Sequence, residues 1–239
     1  MTEEMLDQLR HACWFLHGSF SGIALPYARY SERQYATWLM RIFDQHDRFD
    51  IALHMQAHPT VKQQELVEPE RFKFKDDGVF PNSDLPLLLY RQAFSTEAED
   101  GASVIEQSFA ENNWTNSWRN GVYPFRHYHS TTHEVLGVYS GSATLRLGGE
   151  NGKNVEVHAG DVIVIPAGVA HQNIGARDDF GVVGAYPDGR EWDLLRGQPG
   201  ERPEADQRIA ALPIPDNDPI YGAEGPLRQI WKAARERPK

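Results

Sequence analysis

Short extended runs follow one another at close spacing between residues 72 and 185, and Gly, Pro and Asn residues separate them. One predicted helix interrupts the series from Glu97 to Ala110, behind the capping-box pattern Thr96-x-x-Glu99. The predicted strands are residues 72–74, 87–91, 123–129, 134–139, 143–147, 155–158, 162–165, 171–174 and 180–185. Because a helix does not follow each strand, the pattern predicts an all-β sandwich or barrel.

The residues before the strands have a helical character. Apolar residues recur at helical spacing from residue 3 to residue 16, and again after Ser31. Pro59 and a polar stretch then lead into the first predicted strand. We therefore expect residues 1–67 to form a helical N-terminal extension.

The residues after the strands are rich in Pro, Gly and charged side chains. A short helix is predicted to begin near Pro203, and another to run from Pro226 to Arg237. The resulting division is a β barrel over residues 68–200 and a C-terminal helical tail over residues 201–239 that wraps the barrel.

His127 and His129 are separated by one residue within a strand-like run. Alternation along a strand puts both side chains on one face, roughly 7 Å apart at the backbone. Two imidazoles at this spacing can reach the same transition-metal ion. Taken alone, such a pair is weak support for a metal site, so the surrounding residues decide its interpretation.

Two spaced motifs surround the histidine pair. The first reads Gly121, five residues, His127-x-His129, four residues, Glu134, six residues and Gly141. The second reads Gly160, five residues, Pro166-x-Gly168, two residues and His171. This combination resembles the two motifs of the cupin superfamily. The resemblance implies a double-stranded β-helix, or jelly-roll barrel, in which His127, His129, Glu134 and His171 hold one metal ion.

The wider stretch from Phe72 to Trp231 resembles the YjlB-like bacterial cupins, a family without a settled activity. One position departs from the superfamily pattern, because Gly175 stands four residues after His171, where Asn is usual. Asn173 shares the predicted inward face with His171. It is therefore a candidate substrate contact, with a purely structural amide as the equal alternative.

His133 competes with Glu134 as the residue that closes the metal site. Strand alternation puts the two side chains on opposite faces. Since the superfamily spacing accommodates a carboxylate at this position, we prefer Glu134. Three imidazoles and a carboxylate suit a divalent transition metal such as Fe, Mn, Ni or Zn, and the ligands do not select among them.

Aromatic residues lie close to the first motif. Tyr123 is in phase with His127, and Trp118 falls just upstream of the motif. Both are candidate substrate contacts at the barrel mouth, where they would favour a planar or apolar molecule. The alternative is that these rings belong to the core.

The composition limits the classes of partner. The formal net charge is −10 without a run of Lys or Arg, which argues against nucleic acid and anionic membranes as partners. The N-terminus lacks the basic start of a signal peptide, and no segment has the apolar length of a membrane span. Cys13 is the one cysteine, so no intramolecular disulfide can form. These features predict a cytoplasmic protein.

The resemblance implies a metal-dependent enzyme acting on a small organic molecule, with an Fe(II)-type dioxygenase or other oxidoreductase as the first expectation. A non-oxidative isomerase, lyase or decarboxylase is the chemical alternative, because fold and ligands do not choose among reactions. A regulatory protein that binds a small metabolite is the alternative outside catalysis. A homodimer is expected from the family and from the aromatic stripe in the N-terminal extension.

Overall fold

Seven strands and three helices make up the part of the chain that the computed structural model describes, residues 66–95 and 100–236. The strands are β1 Glu70–Phe74, β2 Ser83–Tyr90, β3 Trp114–Asn120, β4 Glu134–Leu147, β5 Lys153–His158, β6 Val162–Ile165 and β7 His171–Pro187. The helices are α1 Gly101–Glu111, α2 Glu204–Ala211 and α3 Pro226–Arg235. The helices predicted within residues 1–65 lie outside the described residues.

The strands form one antiparallel sheet in the order β1-β2-β6-β4-β7-β3, and β5 pairs with β4. β4 and β7 pair along most of their length. The two halves of β4 have different second neighbours, β6 at Glu134–Gly137 and β5 at Ser142–Leu147. The sheet therefore folds over at the middle of β4, which confirms the predicted mainly-β jelly-roll class.

Gly141 marks the bend of β4. Its φ is +64°, and a Cβ there would lie 2.4 Å from the carbonyl oxygen of Asp178, so only glycine fits. The pairing register with β7 shifts on both sides of Ser140, as expected of a bulge that bends a strand without ending it. For this reason the separate strands predicted at 134–139 and 143–147 are one strand.

The central strands are buried on both faces, and successive residues face two different apolar clusters. The inner cluster includes Leu87, Leu89, Leu136, Val138, Leu145, Leu147, Ile163 and Ile165. The outer cluster includes Leu88, Tyr90, Val135, Val162, Val164 and Val183 together with Phe109 of α1 and Leu227, Ile230 and Trp231 of α3. Alternation along each strand thus separates the barrel interior from a surface that two helices cover.

Three further strand predictions were wrong in detail. The strands predicted at 171–174 and 180–185 are one strand, β7. β3 was not predicted, and the strand predicted over residues 123–129 is an irregular segment with isolated pairs at His127–His171 and Tyr128–Leu195. Pro124 accounts for part of the last difference, because proline cannot donate a ladder hydrogen bond.

The helices lie close to their predicted positions. α1 begins at Gly101, where the Asp100 side chain accepts a hydrogen bond from the Ser103 backbone N–H at 3.0 Å. The capping box predicted at Thr96 to Glu99 falls outside the described residues. Among residues 66–95 and 100–236, no helix combines the length and the apolar character needed to cross a membrane.

Candidate metal centre

The four predicted ligands come from three parts of the barrel. His127 and His129 lie in the irregular segment before β4, Glu134 is the first residue of β4, and His171 is the first residue of β7. Glu134 is in phase with Leu136 of the inner cluster, so its side chain points into the barrel. Each of the four is no more than 4% exposed to solvent.

The structure brings these four side chains together. Ligand nitrogens of the three histidines lie within 4.8 Å of one another. The Oε2 atom of Glu134 lies 3.5 Å from Nε2 of His129 and 3.2 Å from Nε2 of His171. The arrangement is a buried cluster of three imidazoles and one carboxylate.

A backbone carbonyl binds the Nδ1 atom of each histidine. For His127, His129 and His171 in turn, the acceptors are the carbonyl oxygens of Phe125 (3.0 Å), Asp193 and Val169 (3.2 Å). Since a carbonyl oxygen only accepts, each Nδ1 must carry the hydrogen. In the neutral rings, the Nε2 lone pairs are then available to a metal ion, an arrangement typical of metal-binding histidines.

Only one of the two oxygens of the Glu134 carboxylate has a hydrogen-bond partner. Its Oε1 atom accepts a hydrogen bond from the Tyr186 hydroxyl at 3.3 Å, whereas Oε2 is buried without a hydrogen-bond partner. An orphaned carboxylate oxygen facing Nε2 lone pairs is unfavourable in a buried site. A divalent cation would satisfy the oxygen and the nitrogens together, so the residues present fit a metal ion.

The pKa values of the cluster follow from burial and from neighbouring charges. Burial and the nearby His171 lower the pKa of His127 to about 2, so this ring is neutral at neutral pH. Burial also lowers the pKa of His129, but the charge and hydrogen bond of Glu134 together with the contacts of Asp193 outweigh burial, and the net shift is upward. For Glu134 burial raises the pKa, and the interactions with His129 and His171 together more than reverse that effect.

His133 lies on the opposite face from Glu134. Its Nδ1 accepts a hydrogen bond from the Ala167 N–H at 2.9 Å, and its Nε2 donates to the Pro213 carbonyl at 3.2 Å. Its ring packs against Trp231 of α3, with centroids 4.8 Å apart. Neither ring nitrogen of His133 is directed at the cluster.

The three predicted substrate contacts have different positions. Tyr123 is 43% exposed and its ring lies 5.2 Å from the ring of His127. Trp118 donates from Nε1 to the Tyr186 hydroxyl at 2.8 Å, and so reaches Glu134 only through that tyrosine. The Asn173 side chain accepts a hydrogen bond from the backbone N–H of Gly175 at 2.9 Å, a local turn contact.

The sequence analysis missed three residues next to the cluster, Tyr186, Trp192 and Asp193. Trp192 is 37% exposed, and its ring lies 5.5 Å from the ring of His129. The segment after β7 has no periodic pattern that would place it against the barrel mouth. Tyr186 lies in the apolar run from Gly181 to Pro187, and this run was the only sequence feature that could have indicated it.

Comparisons with known proteins agree with this description. A family model described as "Cupin domain" matches residues 119–180. The uncharacterized protein YjlB of Bacillus subtilis (strain 168) is 41% identical over 165 residues, which is 69% of this chain and 97% of that protein.

Two solved structures are among those that are similar to parts of the chain. An acireductone dioxygenase from Bacillus anthracis, with cadmium ion in its active center, is 16% identical at a TM-score of 0.32 and covers 44% of this chain and 80% of its own. The WlaRB TDP-quinovose 3,4-ketoisomerase from Campylobacter jejuni is 14% identical at a TM-score of 0.30. The match covers 40% of this chain and 75% of that protein's chain. The sequence identity to YjlB and the cupin match together show that this chain belongs to the YjlB-like family of cupins.

Proposed function

We propose that the protein is a metal-dependent cupin enzyme that oxidises a small organic molecule, as an Fe(II)-dependent dioxygenase. The convergence of three Nε2 lone pairs and an orphaned carboxylate oxygen in a buried site carries the proposal. Such a set of nitrogen and oxygen donors suits Fe(II), Mn(II), Ni(II) or Zn(II). When bound there, iron would supply Lewis acidity and redox chemistry with O₂.

The aromatic side chains beside the cluster give the substrate an apolar approach. Tyr123 lies edge-on to His127 and Trp192 edge-on to His129, and both rings are partly exposed. A substrate entering between these two rings would contact flat apolar surfaces and would lose its bound water. Tyr123 therefore stays a proposed substrate contact, and the same role for Trp118 and Asn173 stays a prediction.

A non-oxidative isomerase, lyase or decarboxylase is the second candidate, and one observation favours it. The Tyr186 hydroxyl donates to Oε1 of Glu134 at 3.3 Å, so a proton is already held between two groups at the edge of the site. Burial and the charge of Glu134 raise the pKa of Tyr186, which keeps its hydroxyl protonated. A protonated hydroxyl at this position would be available as the general acid of an isomerase or lyase.

Metal analysis of protein purified without chelating resin tests the proposal, followed by O₂ consumption with a panel of small thiols, diketones and phenols. We expect bound iron and substrate-dependent O₂ uptake, both absent from a His171→Ala variant. A bound redox-inert metal without O₂ uptake would reject the dioxygenase and leave the second candidate. Absence of any bound metal would reject both.

The assembly state is a separate proposal. We propose a homodimer, as the family resemblance implies. Light scattering over a range of protein concentrations is the measurement, and a monomer at every concentration would contradict it.

A further inference from the structure

The three histidines of the cluster are oriented in two different ways. His127 and His171 each hydrogen-bond to a carbonyl two residues earlier in the chain, so local backbone geometry orients them. His129 instead uses the carbonyl of Asp193, which lies 64 residues later. The orientation of one ligand therefore depends on a remote part of the chain, residues 191–195, called here the 191–195 segment.

The Asp193 carboxylate holds the 191–195 segment beside His129 through hydrogen bonds. It accepts hydrogen bonds from the backbone N–H of Ser130 at 2.6 Å, from the hydroxyl of Ser130 at 2.5 Å and from the backbone N–H of Thr131 at 3.2 Å. Hydrogen bonds to an ionised carboxylate are stronger than neutral ones. The residue whose carbonyl orients His129 is thus bound to the two residues that follow His129.

Further hydrogen bonds link the 191–195 segment to Ser130 and Thr131. The hydroxyl of Thr131 accepts a hydrogen bond from the backbone N–H of Asp193 at 3.1 Å. Arg208 of α2 donates to the Ser130 hydroxyl at 2.7 Å and lies 3.6 Å from the Asp193 carboxylate. Helix α2 of the C-terminal tail therefore also helps to hold the 191–195 segment in place.

The same segment carries an aromatic wall of the site. Trp192 precedes Asp193, and its ring stacks on Tyr186 with centroids 6.3 Å apart and an interplanar angle of 24°. It meets His129 edge-on at 5.5 Å. A shift of the Asp193 backbone would move this ring as well as the carbonyl.

We propose that Asp193 is a positioning residue of the metal centre: its carboxylate fixes the 191–195 segment so that its own carbonyl holds His129 with Nε2 directed at the cluster. The inference rests on the proposed metal site. Removing the carboxylate leaves the carbonyl in the chain but frees it to move. Partners of this kind, which orient a ligand histidine, change metal affinity by about 10- to 100-fold.

Titration of the metal-free, full-length protein with Co(II) tests the proposal, because visible absorption of Co(II) reports the geometry of its ligands. We expect Asp193→Ala to bind Co(II) about 10- to 100-fold more weakly, with a changed spectrum. Asp193→Asn keeps an oxygen acceptor for the two amides and should recover most of the affinity. Glu191→Ala removes an exposed acid of the same segment and should match the wild type.

Wild-type affinity and an unchanged spectrum in Asp193→Ala would overturn the proposal, even if that variant melts at a lower temperature. If Asp193→Ala does not fold, Thr131→Val removes the hydroxyl that holds the Asp193 amide, and a weakening in the same direction is required. If the wild type binds no Co(II), the metal site itself fails. In that case nitrogen NMR of the His129 ring decides: its Nδ1 resonance must change in Asp193→Ala and stay unchanged in Glu191→Ala.

Discussion

His133 and Glu134 are neighbours in the chain, yet they lie on opposite faces of the barrel wall and in opposite chemical situations. On the outer face, His133 uses both ring nitrogens in hydrogen bonds, to the Ala167 N–H and the Pro213 carbonyl. On the inner face, each histidine of the cluster uses one nitrogen on a backbone carbonyl, and Glu134 leaves one oxygen without a hydrogen bond.

The difference separates a structural histidine from the candidate metal ligands. Burial lowers the pKa of His133 to about 4, and its neutral ring is fully satisfied by backbone groups and by Trp231. Burial of the inner cluster is equally complete, but its free lone pairs and free carboxylate oxygen point at one another. The ring of His133 has partners for both nitrogens, whereas a shared cation would supply the partner that the inner cluster lacks.

The largest expected difference between the two faces is the effect of metal on stability. A divalent ion that binds only the folded protein stabilises it by about 4 kcal/mol at a thousand times its Kd. Thermal denaturation with Zn(II) and with a chelator should show this gain in the wild type and in His133→Gln, and its absence in His171→Ala. Equal stabilisation of His171→Ala would remove the distinction between the faces.

His133 of the outer face should contribute to the pH dependence of stability, beside His127 of the inner cluster, whose pKa is also lowered. The folded-state pKa of His133 is about 4, below its ordinary value of 6.5, so the unfolded chain binds more protons between these values. The contribution of His133 to stability is therefore full above pH 6.5 and falls as the pH drops towards 4, by up to about 3 kcal/mol. Urea denaturation of the metal-free protein at several pH values should show that the free energy of unfolding depends less on pH in His133→Gln than in the wild type. An unchanged dependence on pH would contradict this assignment.

Substitution of Glu134 by Gln sharpens the comparison on the inner face. The amide keeps the shape of the side chain and its contact with Tyr186 but loses the charge. We expect metal affinity to fall about 10- to 100-fold, at the scale of other changes that weaken a ligand's environment. The pKa of Glu134 is lowered in the folded protein despite its burial, so the fold favours the ionised carboxylate, and the metal-free variant should unfold more easily than the metal-free wild type. Wild-type metal affinity in Glu134→Gln would contradict a role of the carboxylate in the metal site.

Tyr186→Phe should give the smallest effect. It removes the hydroxyl that donates to Glu134 and accepts from Trp118, a loss of about 1 kcal/mol in stability. Metal stoichiometry, measured by elemental analysis, should be unchanged, since Glu134 keeps its position at the start of β4. Loss of the metal would mean that Tyr186 orients the carboxylate more strongly than its 3.3 Å contact suggests.

The spacing of the strands predicts the all-β class, and the resemblance of two motifs to the cupin pattern predicts the approach of the four candidate ligands. His127-x-His129, Glu134 and His171 stand at fixed spacings around turns, and Gly168 shows why such spacing is specific. Its φ is +91°, and a Cβ there would lie 2.1 Å from the carbonyl oxygen of Asn82. A motif glycine of this kind marks a place where the backbone of this chain approaches another segment closely.

The remaining features depend on contacts between distant residues. β3 was not recognised because its run Trp114 to Asn120 is rich in Asn and Trp and contains an irregular register at Asn116, where φ is +56°. The contact of Asp193 with His129 spans 64 residues and involves a backbone carbonyl, which every residue has. No side-chain pattern can therefore reveal it.

The number of metal ions bound per chain tests the central claim most directly. Elemental analysis of protein loaded with a divalent transition metal and then freed of excess ion should give one ion per chain in the wild type and in His133→Gln. The same analysis should give almost none in His127→Ala and His171→Ala. A wild type without bound metal, or a full ion in the His171→Ala variant, would contradict the account of a metal centre on the inner face.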